Sequence, residues 1–150
     1  MNGCETLENL WCNWDKCKKL IPPTRGIYRI VAPIEMTISF SPEINGHPIA
    51  DAYDVSVLEN KYEKANHPHL LYIGKAEGAK GLRQRIRQYL LYGFAKGNSH
   101  RGGRAIFQIK AFKNLICEWE EFEDCAAIEH QQLKAFSEEY AVYPIANWRS

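Results

Sequence analysis

The chain has 150 residues, 45% hydrophobic, 25% charged and 12% aromatic, with a formal net charge of +1. That content suits one globular domain with a real core and is foreign to disordered chains, and no apolar run approaches the roughly 18 residues of a membrane helix. The opening Met1-Asn2-Gly3-Cys4-Glu5 lacks the basic-then-apolar pattern of an export signal, so the expectation is a soluble cytoplasmic domain with no membrane partner.

Leu7, Leu10, Trp11, Trp14 and Cys17 recur at three- and four-residue steps, which predicts a helix over 5–20. Ile21-Pro22-Pro23 stops it. Residues 26–31 alternate as a strand, with Ile27, Arg29 and Val31 on one face and Tyr28 and Ile30 on the other. A second β-like run, 34–40, leads to a polar turn whose Asn45-Gly46 signals a hairpin. Val55, Leu58 and Tyr62 predict a helix ending before His67-Pro68, and 69–73 reads as a short buried strand running into Gly74. The helical period returns from about Lys80 to Tyr92. Residues 106–109 and 115–119 read as two strands joined at Lys113-Asn114, and Asp124 is placed to cap a last helix reaching Tyr140. The order predicts one α+β domain over 1–150, a small sheet flanked by helices, with an N-terminal helical extension (1–24) and an inserted hairpin and helix (33–68).

Five cysteines form an odd set with no Cys-x-x-Cys, which spells neither a zinc ribbon nor a thioredoxin-type motif and fits reduced thiols. His67, His69 and His130 show no metal-ligand spacing, and Trp11, Trp14, Trp119 and Trp148 read as core. Charge is uneven: residues 75–104 carry eight basic side chains and one acidic, while 118–129 carry six acidic and none basic. A concentrated basic segment is a footprint for phosphates, although two solvated faces of opposite sign would read the same way.

Two charges interrupt apolar stripes. Arg85 lies among Leu82, Ile86, Tyr89 and Leu90, and Glu129 lies among Cys125, Ile128 and Leu133. A charge on the core side of a helix needs a partner or a cleft. Arg83 and Arg87 fall on the opposite, solvent side of their helix. Spacing leaves open whether Arg85 and Glu129 pair with each other or whether Glu129 holds a hard cation.

Gly26-Ile27-Tyr28 and Tyr72-Ile73-Gly74, followed by Lys75-Ala76 and Leu82-Arg83-Gln84-Arg85, resemble the signatures of the GIY-YIG nuclease superfamily. The details are similar to the N-terminal nuclease domain of the bacterial excision-repair incision subunit. Glu129 with Leu133 and Phe136 resembles the helix bearing that family's metal-binding glutamate, and Pro144-Ile145-Ala146-Asn147 its closing segment. The resemblance covers roughly 25–147. It departs from compact members in the 43 residues between the tripeptides, as in restriction-type members, and in Tyr89 where many members have histidine.

The resemblance implies a mainly antiparallel sheet and a stand-alone DNA endonuclease that hydrolyses phosphodiesters with Mg2+ or Mn2+. Glu129 would hold the metal, Arg85 the phosphoryl oxygens and Tyr28 the base role, its phenolate helped by Lys75. Tyr72 would orient water or phosphate, with Tyr89 and Asn147 as further catalytic candidates. Lys80, Arg83, Arg87, His100, Arg101 and Arg104 are candidates for nucleic-acid contacts, the glycines of His100-Arg101-Gly102-Gly103-Arg104 allowing close approach to a phosphate. Target choice would fall to the insertion, the N-terminal helix, a homodimer or a partner protein. The rival readings are a non-catalytic nucleic-acid-binding module and a protein-interaction module, both retaining the fold.

Overall fold

The computed structural model describes residues 2–44, 47–48, 52–95 and 103–148; the Asn45-Gly46 turn, His100 and Arg101 lie outside the described residues. In chain order the elements are β1 (Gly3–Thr6), α1 (Leu7–Cys12), α2 (Trp14–Cys17), β2 (Gly26–Val31), the short β3 (Glu43–Ile44) and β4 (His47–Pro48), α3 (Val55–Lys64), β5 (Leu70–Ala76), α4 (Gly81–Ala95), β6 (Ile116–Glu121) and α5 (Cys125–Tyr140). The result is an α+β fold around a four-stranded antiparallel sheet in the order β1-β6-β2-β5, with β3 and β4 paired separately. No helix among the described residues is long and apolar enough to cross a membrane.

The alternation in β2 puts its side chains into two separate apolar layers. On one face Tyr28 and Ile30, with Tyr72, Cys117 and Trp119, pack against Leu7 and Leu10 of α1 and Leu82, Ile86, Tyr89 and Leu90 of α4. On the other, Ile27 and Ile73 pack against Cys125 and Leu133 of α5. The helices α4 and α5 therefore lie on opposite faces of the sheet.

The expected helix over 5–20 is broken. Residues 3–6 pair with β6, Thr6 caps α1 by accepting from the Asn9 amide at 3.2 Å, and Asn13 leaves helical geometry between α1 and α2. Residues 18–20 continue as a 3-10 turn. The strand expected over 34–40 is absent: the run lies between Pro33 and Pro42, and its one bridge among the described residues joins Phe40 to Ile109. The strand expected over 106–109 is a 3-10 turn, Arg104–Gln108, whose Ala105, Ile106, Phe107 and Gln108 are all buried. A short run buried on every side carries no periodicity that tells strand from helix. At α5, Asp124 sits at the N-cap position without a side-chain capping bond.

Two polar side chains tie the insertion and the C-terminal segment to this frame. Fully buried Gln108 accepts from the Tyr53 amide at 2.9 Å and donates to the Tyr53 and Ser41 carbonyls at 2.9 and 3.1 Å. Asn147 meets the free edge of β5, its Oδ1 accepting from the Ile73 amide and its Nδ2 donating to the Ile73 carbonyl, both at 2.9 Å. The Ala146 amide donates to the Leu71 carbonyl at 3.0 Å. An unpaired strand edge is thereby closed by three hydrogen bonds.

Candidate active site

The two sequence tripeptides lie side by side. Tyr28 on β2 is the register partner of Gly74 on β5, and a Cβ at Gly74 would fall 2.5 Å from the Tyr28 ring. Glycine there is what lets the Tyr28 ring lie flat across the neighbouring strand. Tyr28, Tyr72 and Tyr89 then form a cluster: Tyr72 stacks on Tyr89 at 5.7 Å, and both meet Tyr28 edge-on at 5.9 and 5.8 Å. Such contacts between rings are favourable beyond the area they bury.

A cleft of about 420 Å³ opens beside this cluster, lined by Tyr72, Lys75, Ala76, Glu77, Gly78, Gly81, Gln84, Arg85, Gln88 and Glu129. Arg85 comes from α4 and Glu129 from α5, so residues of two helices on opposite faces of the sheet line one cleft beside the edge strand β5. Arg85 is half-buried, and its Nη1 donates to Gln88 Oε1 at 3.2 Å. No ion pair among the described residues joins Arg85 to Glu129, so a purely structural pairing of the two is not what is seen. Lys75 pairs with Glu77 at 2.8 Å across the cleft mouth.

Electrostatics set the protonation of these groups. Withdrawal from water raises the Glu129 carboxyl, an effect that Lys75 opposes and Glu77 reinforces. Burial pushes the Tyr72 phenol up to about 12, against the hydrogen bond from Tyr28 and the charge of Arg85. Tyr28, fully buried behind Tyr72, is raised well above its ordinary value by burial first and by Tyr72 second, with Arg85 opposing. Arg85 is a cation that opposes the rise at both phenols.

The cleft gathers four of the seven sequence-derived catalytic candidates, Tyr72, Lys75, Arg85 and Glu129. Tyr28 stands one layer behind. Tyr89 is buried and donates to the Gly103 carbonyl at 3.0 Å, and the Asn147 amide is taken up by Ile73. Among the candidates for nucleic-acid contact, Lys80 is exposed just ahead of α4. Arg83 is half-buried, its Nε donating to the Ile21 carbonyl at 2.9 Å. Arg87, expected in solvent, is half-buried with its guanidinium 5.0 and 5.1 Å from the Trp11 and Trp14 rings. Arg104 covers the Tyr53 ring at 4.6 Å. Trp119 is core, Trp11 and Trp14 are half-buried at its rim, and Trp148, expected in the core, is 41% exposed.

Sequence reasoning missed Gln88 and Glu77. Gln88 could have been found as the polar residue three after Arg85 on the same helix face. A somewhat larger cavity, about 480 Å³, lies between residues 34–40 and α3, but the charged groups lining it are Glu59 and Glu63 beside His67 and His69, with no lysine or arginine. Of these two, the smaller cleft combines cations, a carboxylate and a phenol. Comparisons of the chain with protein-family models, with curated proteins and with solved structures found no match.

Proposed function

We propose that this cleft is the active site of a divalent-metal-dependent endonuclease of the GIY-YIG kind, hydrolysing phosphodiester bonds in DNA. One observation carries the reading: the two charges that interrupt apolar stripes, Arg85 and Glu129, line a single cleft with Tyr72 and Lys75. A structural ion pair would also bring the two charges together, but no ion pair among the described residues joins them.

The donor set fits a hard cation. Glu129 is half-buried, and its carboxylate is engaged by no hydrogen bond or ion pair among the described residues. No group of three His, Cys, Asp or Glu side chains gathers among the described residues. Glu129 would thus hold Mg2+ or Mn2+ as a single carboxylate, with water and phosphate oxygens as the other ligands. Such an ion, when bound, stabilises charge on the phosphoryl group and the leaving oxygen.

The chain's own residues do the rest. Arg85, braced by Gln88, presents a fork of donors to the phosphoryl oxygens, where preorganised charge counts most. Burial keeps the Tyr72 phenol protonated at neutral pH, so Tyr72 orients the attacking water through its hydroxyl, and the proton which that water loses would pass to solvent at the open cleft rather than to a buried phenol, Tyr28 included. Tyr28 fixes the Tyr72 ring from behind. Lys75 offsets phosphate charge once the substrate competes with Glu77 for it.

The test is nicking of supercoiled plasmid by purified protein with Mg2+, Mn2+ or EDTA, beside Glu129→Ala. Metal-dependent nicking lost in a folded E129A protein supports the reading. Absence of cleavage with salt-sensitive DNA binding retained overturns it in favour of a non-catalytic nucleic-acid-binding module.

A further inference from the structure

The insertion reaches the cleft by a route its position in the sequence does not suggest. Lys61, on α3, is half-buried and donates through Nζ to the carbonyls of Ile145 and Asn147. The same ammonium lies 3.6 Å above the Trp148 ring. Trp148 in turn packs on Tyr53 at 4.8 Å, and Arg104 covers Tyr53, giving a stack of cation, two rings and cation. Gln108 holds the backbone of Tyr53 from both sides, so the stack is anchored to the frame rather than to a loose loop.

What Lys61 holds is the segment that closes β5. Ala146 bonds Leu71, and Asn147 bonds Ile73 twice. Those are the two chain neighbours of Tyr72. The C-terminal segment therefore grips the edge strand on each side of the cleft tyrosine, and Lys61 grips the segment.

We propose that Lys61 is a positioning residue, which through residues 145–147 fixes the backbone that carries Tyr72 in the cleft. An amine partly withdrawn from water, its pKa lowered to about 8 by burial, needs the two carbonyls and the indole face to stay charged there. Without the Lys61 ammonium the segment loses two carbonyl contacts and the indole contact, and its hold on β5 beside the site loosens. The activity readout rests on the nuclease reading above; the backbone readout does not.

The experiment compares wild type, Lys61→Met and Lys61→Arg. First, amide hydrogen exchange at Ile73 is followed by NMR; K61M is expected to speed it at least about tenfold relative to the global opening rate, and K61R to restore most of the protection. Second, single-turnover plasmid nicking at saturating DNA is expected to fall at least about tenfold in K61M with DNA affinity within about twofold, because the reacting group is misplaced while the DNA-binding surface stays intact. If K61M does not fold, Trp148→Leu, which uncovers the amine, carries the same comparison. Unchanged Ile73 protection in a folded variant overturns the proposal, whatever the nuclease assay gives. Nicking within about twofold of wild type despite faster exchange overturns its catalytic part. A wild type that never nicks defeats the nuclease reading alone.

Discussion

Asn147→Ala separates a holding role for this side chain from a substrate contact. Ile73 is fully buried, and its amide and carbonyl each have one partner on this edge, the Asn147 amide, at 2.9 Å. Truncation leaves a buried donor and a buried acceptor unmet, at about 1–3 kcal/mol apiece, so the expected loss is about 2–6 kcal/mol, or about 1–3 kcal/mol if water reaches one of them. Against a total stability of about 5–15 kcal/mol this is a large fraction. Urea unfolding followed by circular dichroism should show a lower midpoint with an unchanged slope. Asn147→Asp keeps the acceptor for the Ile73 amide but turns a carboxylate towards the Ile73 carbonyl. Its stability should recover as pH falls and the carboxyl again donates. A change below about 0.5 kcal/mol in Asn147→Ala would refute the view that this amide closes the edge of β5.

Three further outcomes follow from the same geometry. The folded-state pKa of Glu129 is raised by desolvation, so the unfolded chain ionises first and stability falls as pH rises from about 4.5 through the folded value. Glu129→Gln should therefore raise the melting temperature at pH 7 in EDTA and flatten its pH dependence; a lower melting temperature would contradict the desolvation argument. Arg85→Gln should leave the melting temperature near wild type but slow plasmid nicking by about 10²–10³-fold, and Arg85→Lys should rescue little, because an ammonium lacks the planar fork. Gly74→Ala places a Cβ 2.5 Å from the Tyr28 ring and should destabilise by at least about 1–3 kcal/mol, measured by urea unfolding.

What the sequence made legible were the elements whose own pattern decides them. Strands β2 and β5 and helices α3, α4 and α5 have apolar periods that survive folding, and Arg85 and Glu129 stood out because they break such a period. The failures share a cause. Strand β1, Gly-Cys-Glu-Thr, has no alternation of its own and exists because β6, more than a hundred residues away, offers an edge. Gln108 sits in an apolar run and reads as a flaw until its three backbone partners are visible. The partners of Asn147 and Lys61 were illegible for the same reason, since they lie 74 and 84 or more residues away. The arginines erred in the other direction: charge implies solvent, but Arg87 and Arg104 lie over aromatic rings that spacing along one helix cannot reveal.

The closing of β5 by Asn147 also orders events in time. Ties across such separations are slow to form, because chain entropy must be lost before any contact is gained. During synthesis, the strand that carries Tyr72 emerges with its outer amides bare, and residues 145–147 are made long after it. Until they arrive, Tyr72 rests on a strand free to shift and the cleft lacks its fixed wall. The wall of the cleft that carries Tyr72 is therefore completed by residues 145–147, among the last of the described residues to be made. Over the same interval that bare edge is its most vulnerable surface for pairing with another chain.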